Sequence, residues 1–154
     1  MAIEYCVGDI IESGADIIVN LVNCMGKFES ELCIRINEKW PMVRQEYCRV
    51  CDTYYEYPPD LLGVVQFVGI GNGRYVASCF GKLSPNDKDL AYEDFEKSLQ
   101  HVLSFARSDN NSIAIQYETV FGQDGEKHEM MDAIITKVFK NYFGKVTIYK
   151  YEAA

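Results

Sequence analysis

Six short runs of β-branched and aromatic residues predict the strands of a sheet. Several have an uninterrupted apolar centre, such as Ile17-Ile18-Val19 and Ile113-Ala114-Ile115, which is typical of strands that are buried on both faces. The predicted strands are Ile3–Val7, Asp16–Val22, Val64–Ile70, Arg74–Phe80, Ser112–Tyr117 and Lys145–Lys150.

Apolar residues at helical spacing predict four helices between these strands. The first begins near Ser30, and Pro41 ends it and opens the second, because proline is tolerated in the first turn of a helix. The inward face of the third helix carries Ala91, Phe95, Leu99, Val102 and Ala106. The inward face of the fourth carries Met131, Ile134, Ile135, Val138, Phe139 and Tyr142, and Gly144 is predicted to end it.

The order of these elements predicts the fold class. They follow one another as β-β-α-α-β-β-α-β-α-β, which indicates an α/β fold of three layers, with helices on both faces of a mixed central sheet of about six strands. Ligands of such folds bind at the carboxyl ends of the strands. The 154 residues are 48% hydrophobic and show no repeat or linker, so we expect a single domain over residues 1–154.

The net charge of the chain limits the classes of molecule that it is expected to bind. The chain has 15 basic and 23 acidic residues, a net charge of −8, which argues against a protein that binds DNA by neutralising phosphates. A small anionic ligand remains compatible with this charge, because backbone N–H groups bind anions without a formal charge. No apolar run is long enough to cross a membrane and no secretory signal is evident, so we expect a cytoplasmic protein without a membrane partner.

The six cysteines do not form a pattern that predicts a metal site. Only Cys48 and Cys51 are close in sequence, and the two histidines, His101 and His128, lie far from them. We therefore expect reduced cysteines that pack as small hydrophobic residues, with no metal and no cofactor.

A glycine-rich segment over residues 69–73 has two interpretations. Its Gly-x-Gly pattern superficially resembles a dinucleotide-binding loop, but it joins two predicted strands and no helix follows it. Asn72-Gly73 is a strong signal for a two-residue hairpin turn, so a hairpin is favoured.

Two asparagines mark the carboxyl end of the second predicted strand. Asn20 and Asn23 could hydrogen-bond a sugar hydroxyl there, and the loop that follows leads into a helix start that could bind phosphate. The alternative is that Asn23 only caps a turn, and spacing alone does not separate the two.

Two further candidates follow later strands. Lys82 comes directly after a predicted strand and could act as a nucleophile, although such a lysine is ordinarily a solvated surface residue. Gly122 and Gly125 lie in a strand-to-helix loop where the backbone could approach a phosphate. Asp124 in that loop could transfer a proton or simply cap the helix.

These segments together resemble the macrodomain family, whose members bind ADP-ribose in a three-layer α/β fold. The resemblance covers most of the chain and is carried by Gly8-Asp9-Ile10 and by the strand end from Asp16 to Asn23. The run Val22–Lys27, the helix that ends near Trp40-Pro41 and the stretch Arg74–Lys82 are similar to the branch that contains ADP-ribosyl ester glycohydrolases and ADP-ribose 1″-phosphate phosphatases.

The resemblance implies a role for each matching residue. Asp9 would contact the adenine amino group, Asn23 the distal ribose, and the loop Gly122–Gly125 the diphosphate. The ligand-binding residues that it implies are Asp9, Ile10, Asn20, Asn23, Gly26, Gly122 and Gly125. Lys82 would attack the anomeric carbon of the distal ribose and Asp124 would assist proton transfer.

The implied partner is ADP-ribose or an ADP-ribosylated macromolecule, and three functions follow from it. The first is hydrolysis of an ester-linked ADP-ribose, the second is hydrolysis of ADP-ribose 1″-phosphate, and the third is binding without catalysis. The loop after Gly26 departs from the family pattern, because it carries Phe28, Glu29 and Glu31 where small residues are usual. The two glutamates would oppose a diphosphate unless they point outward.

Overall fold

The computed structural model describes residues 3–86, 90–122 and 124–152, which form six strands and five α-helices. The strands are β1 (Ile3–Val7), β2 (Ile17–Asn23), β3 (Val65–Gly71), β4 (Arg74–Lys82), β5 (Ile113–Gln116) and β6 (Val146–Lys150). The helices are α1 (Glu31–Lys39), α2 (Pro41–Thr53), α3 (Tyr92–Ala106), α4 (Tyr117–Phe121) and α5 (His128–Phe139). No helix in the described ranges is both long enough and apolar enough to span a membrane.

The strands form one mixed sheet, in the order β1-β6-β5-β2-β4-β3. All neighbouring pairs are parallel except β3 and β4, which form an antiparallel hairpin. Asn72 and Gly73 at the turn have φ of 56° and 71°, the left-handed conformation that a two-residue type I′ turn requires. The sheet confirms the predicted mixed architecture, and the segment 69–73 is a hairpin.

Helices cover both faces of the sheet. Because side chains alternate along a strand, Ile17, Val19 and Leu21 of β2 pack in the cluster that holds α3 and α5, whereas Ile18 and Val22 pack in the cluster that holds α1 and α2. This alternation produces the three predicted layers and explains why β2 contains the apolar run Ile17-Ile18-Val19.

Five of the strands have bounds that differ from the prediction by one or two residues, and two tyrosines lie in a different type of structure from the one predicted. Tyr117, predicted as the last strand residue, instead begins the short helix α4, where its ring stacks on that of Phe121 one turn later at 4.7 Å between centroids. Helix α5 ends at Phe139, before Tyr142. Tyr142 is nevertheless buried, and its hydroxyl donates to the Asn111 carbonyl at 2.6 Å. A further turn of helix and a buried turn after the helix would both place a buried aromatic residue at this position, so the apolar pattern does not distinguish them.

The carboxyl ends of β5, β2 and β4 lie side by side at one edge of the sheet, and they position the candidate site. Asn23 of β2 is the cross-strand neighbour of Lys82 of β4. The residue before Lys82 is Gly81, where an added Cβ would lie 2.7 Å from Leu21 Cδ1 and 3.0 Å from Phe95 Cδ1. Close packing around a glycine therefore holds the end of β4 that carries Lys82.

We expect Gly81→Ala to lower the free energy of unfolding by about 1–3 kcal/mol, because the added methyl group overpacks a filled core. Urea denaturation measures the effect. Gly69→Ala in β3 is the matched control, because its Cβ would meet no atom closer than Tyr75 Cε1 at 3.9 Å. If both variants had equal stability, close packing at Gly81 would be rejected.

Candidate ligand-binding site

A cavity of about 320 Å³ lies at the carboxyl edge of the sheet. The ends of β2 and β4, the first turn of α1, and the segment from α4 to the start of α5 enclose it. Its lining consists of Leu21, Val22, Asn23, Lys27, Glu29, Ser30, Glu31, Cys33, Lys82, Pro85, Glu118, Thr119, Gly122 and Lys127. The two central candidates from the sequence, Asn23 and Lys82, therefore share one cavity.

Asn23 organises the loop that follows β2. Its Oδ1 accepts hydrogen bonds from the Met25 N–H at 2.9 Å and the Tyr47 hydroxyl at 3.0 Å, and its Nδ2 donates to the Lys27 carbonyl at 2.8 Å. The side chain is 7% exposed. Asn23 thus stabilises a turn and also lines the cavity, so the two interpretations of this residue are compatible.

The bulky loop after Gly26 leaves the cavity open. Phe28 is buried against α2, where its ring lies 5.2 Å from that of Tyr47 between centroids. Gly26 has φ of 76° and lines a smaller cavity of about 220 Å³ on the other side of the loop, beside Cys51. The backbone of Gly26 therefore shapes the turn from outside the main cavity, and its ligand contact stays a prediction.

Charges of both signs surround the cavity. Three lysines, Lys27, Lys82 and Lys127, and three glutamates, Glu29, Glu31 and Glu118, contribute to its lining. The two loop glutamates lie beside the cavity, as the sequence led us to expect, but lysines face the same space and offset their charge.

Glu31 is the glutamate with the best-defined contacts. Its Oε1 accepts from Arg35 Nη1 at 3.1 Å, and its Oε2 accepts from Gln116 Nε2 at 3.4 Å. Burial raises the pKa of the Glu31 carboxyl, and the charge of Glu118 raises it further, whereas the hydrogen bond from Gln116 lowers it. Arg35 and Gln116 together hold this carboxylate at the cavity wall.

Gln116 supports the cavity from outside its lining, through Glu31, and the sequence did not predict this role. It ends β5, is buried, and accepts a hydrogen bond from Thr119 Oγ1 at 2.6 Å while it donates to Glu31. The signal that could have found it is a polar residue directly after the apolar run Ile113-Ala114-Ile115, at the carboxyl end of a buried strand.

Lys82 extends from the end of β4 toward the first turn of α1. Its charge acts on the thiol of Cys33: burial raises the pKa of that thiol, and the lysine acts in the opposite direction. The Lys82 ammonium therefore lies within electrostatic reach of Cys33, inside the cavity that both residues line. The catalytic role of Lys82 stays a prediction.

The glycine loop after α4 forms a wall of the cavity through Gly122. The amides of Gly122, Asp124 and Gly125 donate within the loop, to the Glu118 carbonyl, Glu126 Oε2 and the Gly122 carbonyl respectively. Gln123, which the predicted diphosphate loop includes, lies outside the described residues. Phosphate binding by the loop amides would require these internal hydrogen bonds to exchange.

Asp124 is exposed in this loop and does not contribute to the lining of the cavity, and neither does Gly125. Gly125 instead packs against the Tyr117 hydroxyl, which would lie 2.6 Å from an added Cβ. The structure therefore brings Lys82 and Gly122 to the cavity with Asn23, and places Asp124 in the adjoining turn. The pairing of Lys82 with Asp124 stays a prediction.

The remaining predicted ligand residues are buried or already paired. Ile10 is fully buried, and Asn20 is buried against α1, where its Nδ2 lies 3.4 Å from Cys33 Sγ. Asp9 caps a short helical turn through the Ile11 N–H at 2.9 Å and forms an ion pair with Arg35. Their contacts with a ligand stay predictions.

Among the residues that the structure describes, metal-ligating side chains are not grouped at the cavity. Within residues 3–86, 90–122 and 124–152, no three His, Cys, Asp or Glu side chains are grouped so that they could hold a metal ion. All six cysteines have free thiols, and burial raises the pKa of the Cys24 thiol to about 12. Cys48 and Cys51 both lie on α2 and line the smaller cavity.

Comparison with known proteins finds no family model and no curated protein that matches this chain. Solved structures do match. A protein of unknown function from Bacteroides thetaiotaomicron is 27% identical with a TM-score of 0.81, and the match covers 97% of this chain and 98% of that one.

Two further solved structures extend the likeness. A macrodomain protein from Streptomyces coelicolor is 21% identical with a TM-score of 0.82, covering 99% of this chain and 100% of that one. Thermosipho africanus DarTG, solved in complex with ADP-ribose, is 14% identical with a TM-score of 0.74, covering 96% of this chain and 41% of that one. This chain therefore has the fold of the macrodomains.

Proposed function

We propose that this protein binds ADP-ribose in the cavity at the carboxyl edge of the sheet and releases it from an ester-linked macromolecule. The observation that carries the proposal is the placement of Asn23 and Lys82 as cross-strand neighbours in one cavity that three lysines line. The ADP-ribose in the Thermosipho africanus DarTG structure, which shares the fold, supports the choice of ligand.

The lysines of the cavity match the chemistry of the ligand. A diphosphate carries negative charge, and Lys27, Lys82 and Lys127 surround the space where it would lie. Asn23 has two amide hydrogens, one of which goes to the Lys27 carbonyl, so the second can donate to a ribose hydroxyl.

In the proposed reaction, Lys82 is the nucleophile and Asp124 the proton acceptor. A bond forms between Lys82 Nζ and the anomeric carbon of the distal ribose, while the bond from that carbon to the ester oxygen breaks and its electron pair leaves with the carboxylate. Asp124 accepts the proton that the attacking amine loses. Water then displaces the lysine, releasing ADP-ribose and restoring the amine.

Binding without turnover is the second candidate function. The observation that favours it is the exposed position of Asp124 outside the lining of the cavity. Assays with an ADP-ribosyl ester and with ADP-ribose 1″-phosphate separate the two enzymatic functions from simple binding.

We expect ADP-ribose to raise the melting temperature of the purified protein by about 5 °C or more at a hundredfold excess over its Kd, because a ligand that binds only the native state stabilises it. Differential scanning fluorimetry measures the shift. Sodium diphosphate at the same ionic strength is the control for nonspecific anion effects. An unchanged melting temperature at millimolar ADP-ribose would reject the proposed ligand.

A further inference from the structure

Arg35 links the cavity to a second, more open depression along α1. Its Nη1 donates to Glu31 Oε1, at 3.1 Å, and Glu31 lines the cavity. Its Nη2 forms an ion pair with Asp9, which lines the depression together with Arg35 itself. The depression has a volume of about 390 Å³. The two spaces therefore adjoin through one guanidinium group.

The main cavity holds only part of the proposed ligand. Its volume of about 320 Å³ lies at the lower end of the range for ligand sites, whereas ADP-ribose consists of a base, two sugars and two phosphates. With the distal ribose beside Lys82, the base must lie outside the cavity. The depression at Asp9 is the next open space along α1, and the base would lie there. This step rests on the proposed function.

Two groups in contact with Arg35 have the chemistry that recognises a purine base with an exocyclic amine: Asp9, which lines the depression, and Tyr151, which lies against Arg35 outside that lining. An aromatic ring offers a face on which a base can stack, and a carboxylate accepts hydrogen bonds from an exocyclic amine. Tyr151 and Asp9 have this chemistry, and the guanidinium of Arg35 brings them together.

Arg35 already contacts both Tyr151 and Asp9. Its Cζ lies 3.8 Å above the centre of the Tyr151 ring, which is stacking distance, and its Nη2 pairs with Asp9 Oδ1, which also accepts from the Ile11 N–H. The Arg35 side chain is only 16% exposed, so protein groups hold it in place. A base that used the same ring face and the same oxygen would have to displace it.

We propose that Arg35 closes the nucleobase end of the site and thereby sets its specificity toward the phosphorylated sugar part of the ligand. Arg35 takes the place of the base by stacking on Tyr151 and pairing with Asp9. The protein then gains little affinity from adenine and accepts ligands that carry a different base or none.

The test compares ADP-ribose with ribose 5-phosphate, which lacks the base, the ribose that carries the base and one phosphate, by isothermal titration calorimetry. For the unaltered protein we expect the two Kd values to agree within about fivefold. In Arg35→Ala we expect ADP-ribose to bind about tenfold more tightly, while ribose 5-phosphate changes by less than about twofold. Loss of a cation should weaken the binding of an anion, so electrostatics alone would not produce this gain.

Lys39→Ala is the matched control, because Lys39 lies one turn later on α1, lines the same depression and carries the same charge. The Lys39→Ala variant should not bind ADP-ribose more tightly than the unaltered protein does. Arg35→Lys keeps the charge but loses the planar group that covers Tyr151, so its Kd for ADP-ribose should change in the same direction as that of Arg35→Ala. This variant replaces Arg35→Ala in the test if the alanine variant does not fold.

The outcomes separate this inference from the proposed function. If ribose 5-phosphate binds but ADP-ribose binds far more tightly already in the unaltered protein, and loses affinity in Arg35→Ala, Arg35 supports the base and the inference is overturned. If ADP-ribose binds only after Arg35 is replaced, the inference is supported. If neither compound binds any variant, the proposed function fails, and the inference with it.

Discussion

Replacing Lys82 with alanine should reduce hydrolysis of an ADP-ribosyl ester by about a thousandfold or more, because removal of a nucleophile leaves only the contribution of binding. The affinity for ADP-ribose should weaken far less, since Lys27 and Lys127 remain in the lining of the cavity. Single-turnover measurements of the ester substrate and calorimetry with ADP-ribose separate the two effects.

Lys127→Ala is the informative comparison for Lys82. It removes an equal charge from the same cavity, so it should raise KM while it leaves kcat within about threefold, the pattern for loss of uniform binding. If Lys82→Ala shows this pattern as well, Lys82 contributes only charge, and nucleophilic catalysis is rejected. A mass increase corresponding to ADP-ribose on Lys82 during turnover would support the covalent step directly.

Two carboxylates compete for the proton-transfer role that accompanies Lys82. Asp124 has this role by resemblance but lies in an exposed turn, whereas Glu31 lines the cavity and has a pKa raised by burial. With a raised pKa, the Glu31 carboxyl takes up its proton at a higher pH than a free glutamate does, so it loses charge beside a diphosphate earlier as pH falls.

The fold was predictable because burial and periodicity coincide in most of its elements. The strand β2 is buried on both faces, and the inward faces of α3 and α5 repeat at helical spacing, so local pattern and tertiary packing give the same answer. Tyr117 is the exception. It follows a strand of only four residues, and stacking on Phe121 favours a helical turn that the apolar pattern does not distinguish from a strand.

The candidate site was predictable at the strand ends but not in its long-range contacts. Asn23 and Lys82 share a cavity because the carboxyl ends of parallel strands meet at one edge, which follows from the order of the elements. The pairing of Arg35 with Asp9, 26 residues apart, depends on how α1 lies against the sheet. Periodicity places Arg35 on a helix but does not specify its partners.

Phe28 shows the same limit in the loop. Its size departs from the small residues that are usual in the family loop, but its ring packs on Tyr47 in the core. The direction of a single loop side chain depends on the space that a distant helix leaves for it, and no local pattern encodes that space.

Asn23→Ala should both destabilise the protein and lower its affinity for ADP-ribose. The variant removes the acceptor of the Met25 N–H and one acceptor of the buried Tyr47 hydroxyl, and the loss should cost about 1–3 kcal/mol of unfolding free energy. Burial raises the pKa of Tyr47 well above its ordinary value, so its hydroxyl stays protonated at neutral pH and needs an acceptor. Urea denaturation measures this part of the effect.

The same substitution should weaken the binding of ADP-ribose by about tenfold or more, because it removes the amide that faces the cavity and loosens the loop that carries Lys27. Calorimetry at a temperature well below the melting point of the variant measures the affinity of folded protein only. A loss of stability with full affinity would identify Asn23 as a turn residue without a ligand contact.

Asn20→Ala is the matched control on the same strand. Asn20 is also a buried asparagine, but its amide lies against Cys33 and does not line the cavity. Its replacement should cost stability while ADP-ribose affinity stays within about threefold, because packing and ligand contact are separated at this position. An equal loss of affinity in both variants would instead place Asn20 among the ligand-binding residues and would show that the first turn of α1 transmits changes in β2 to the cavity.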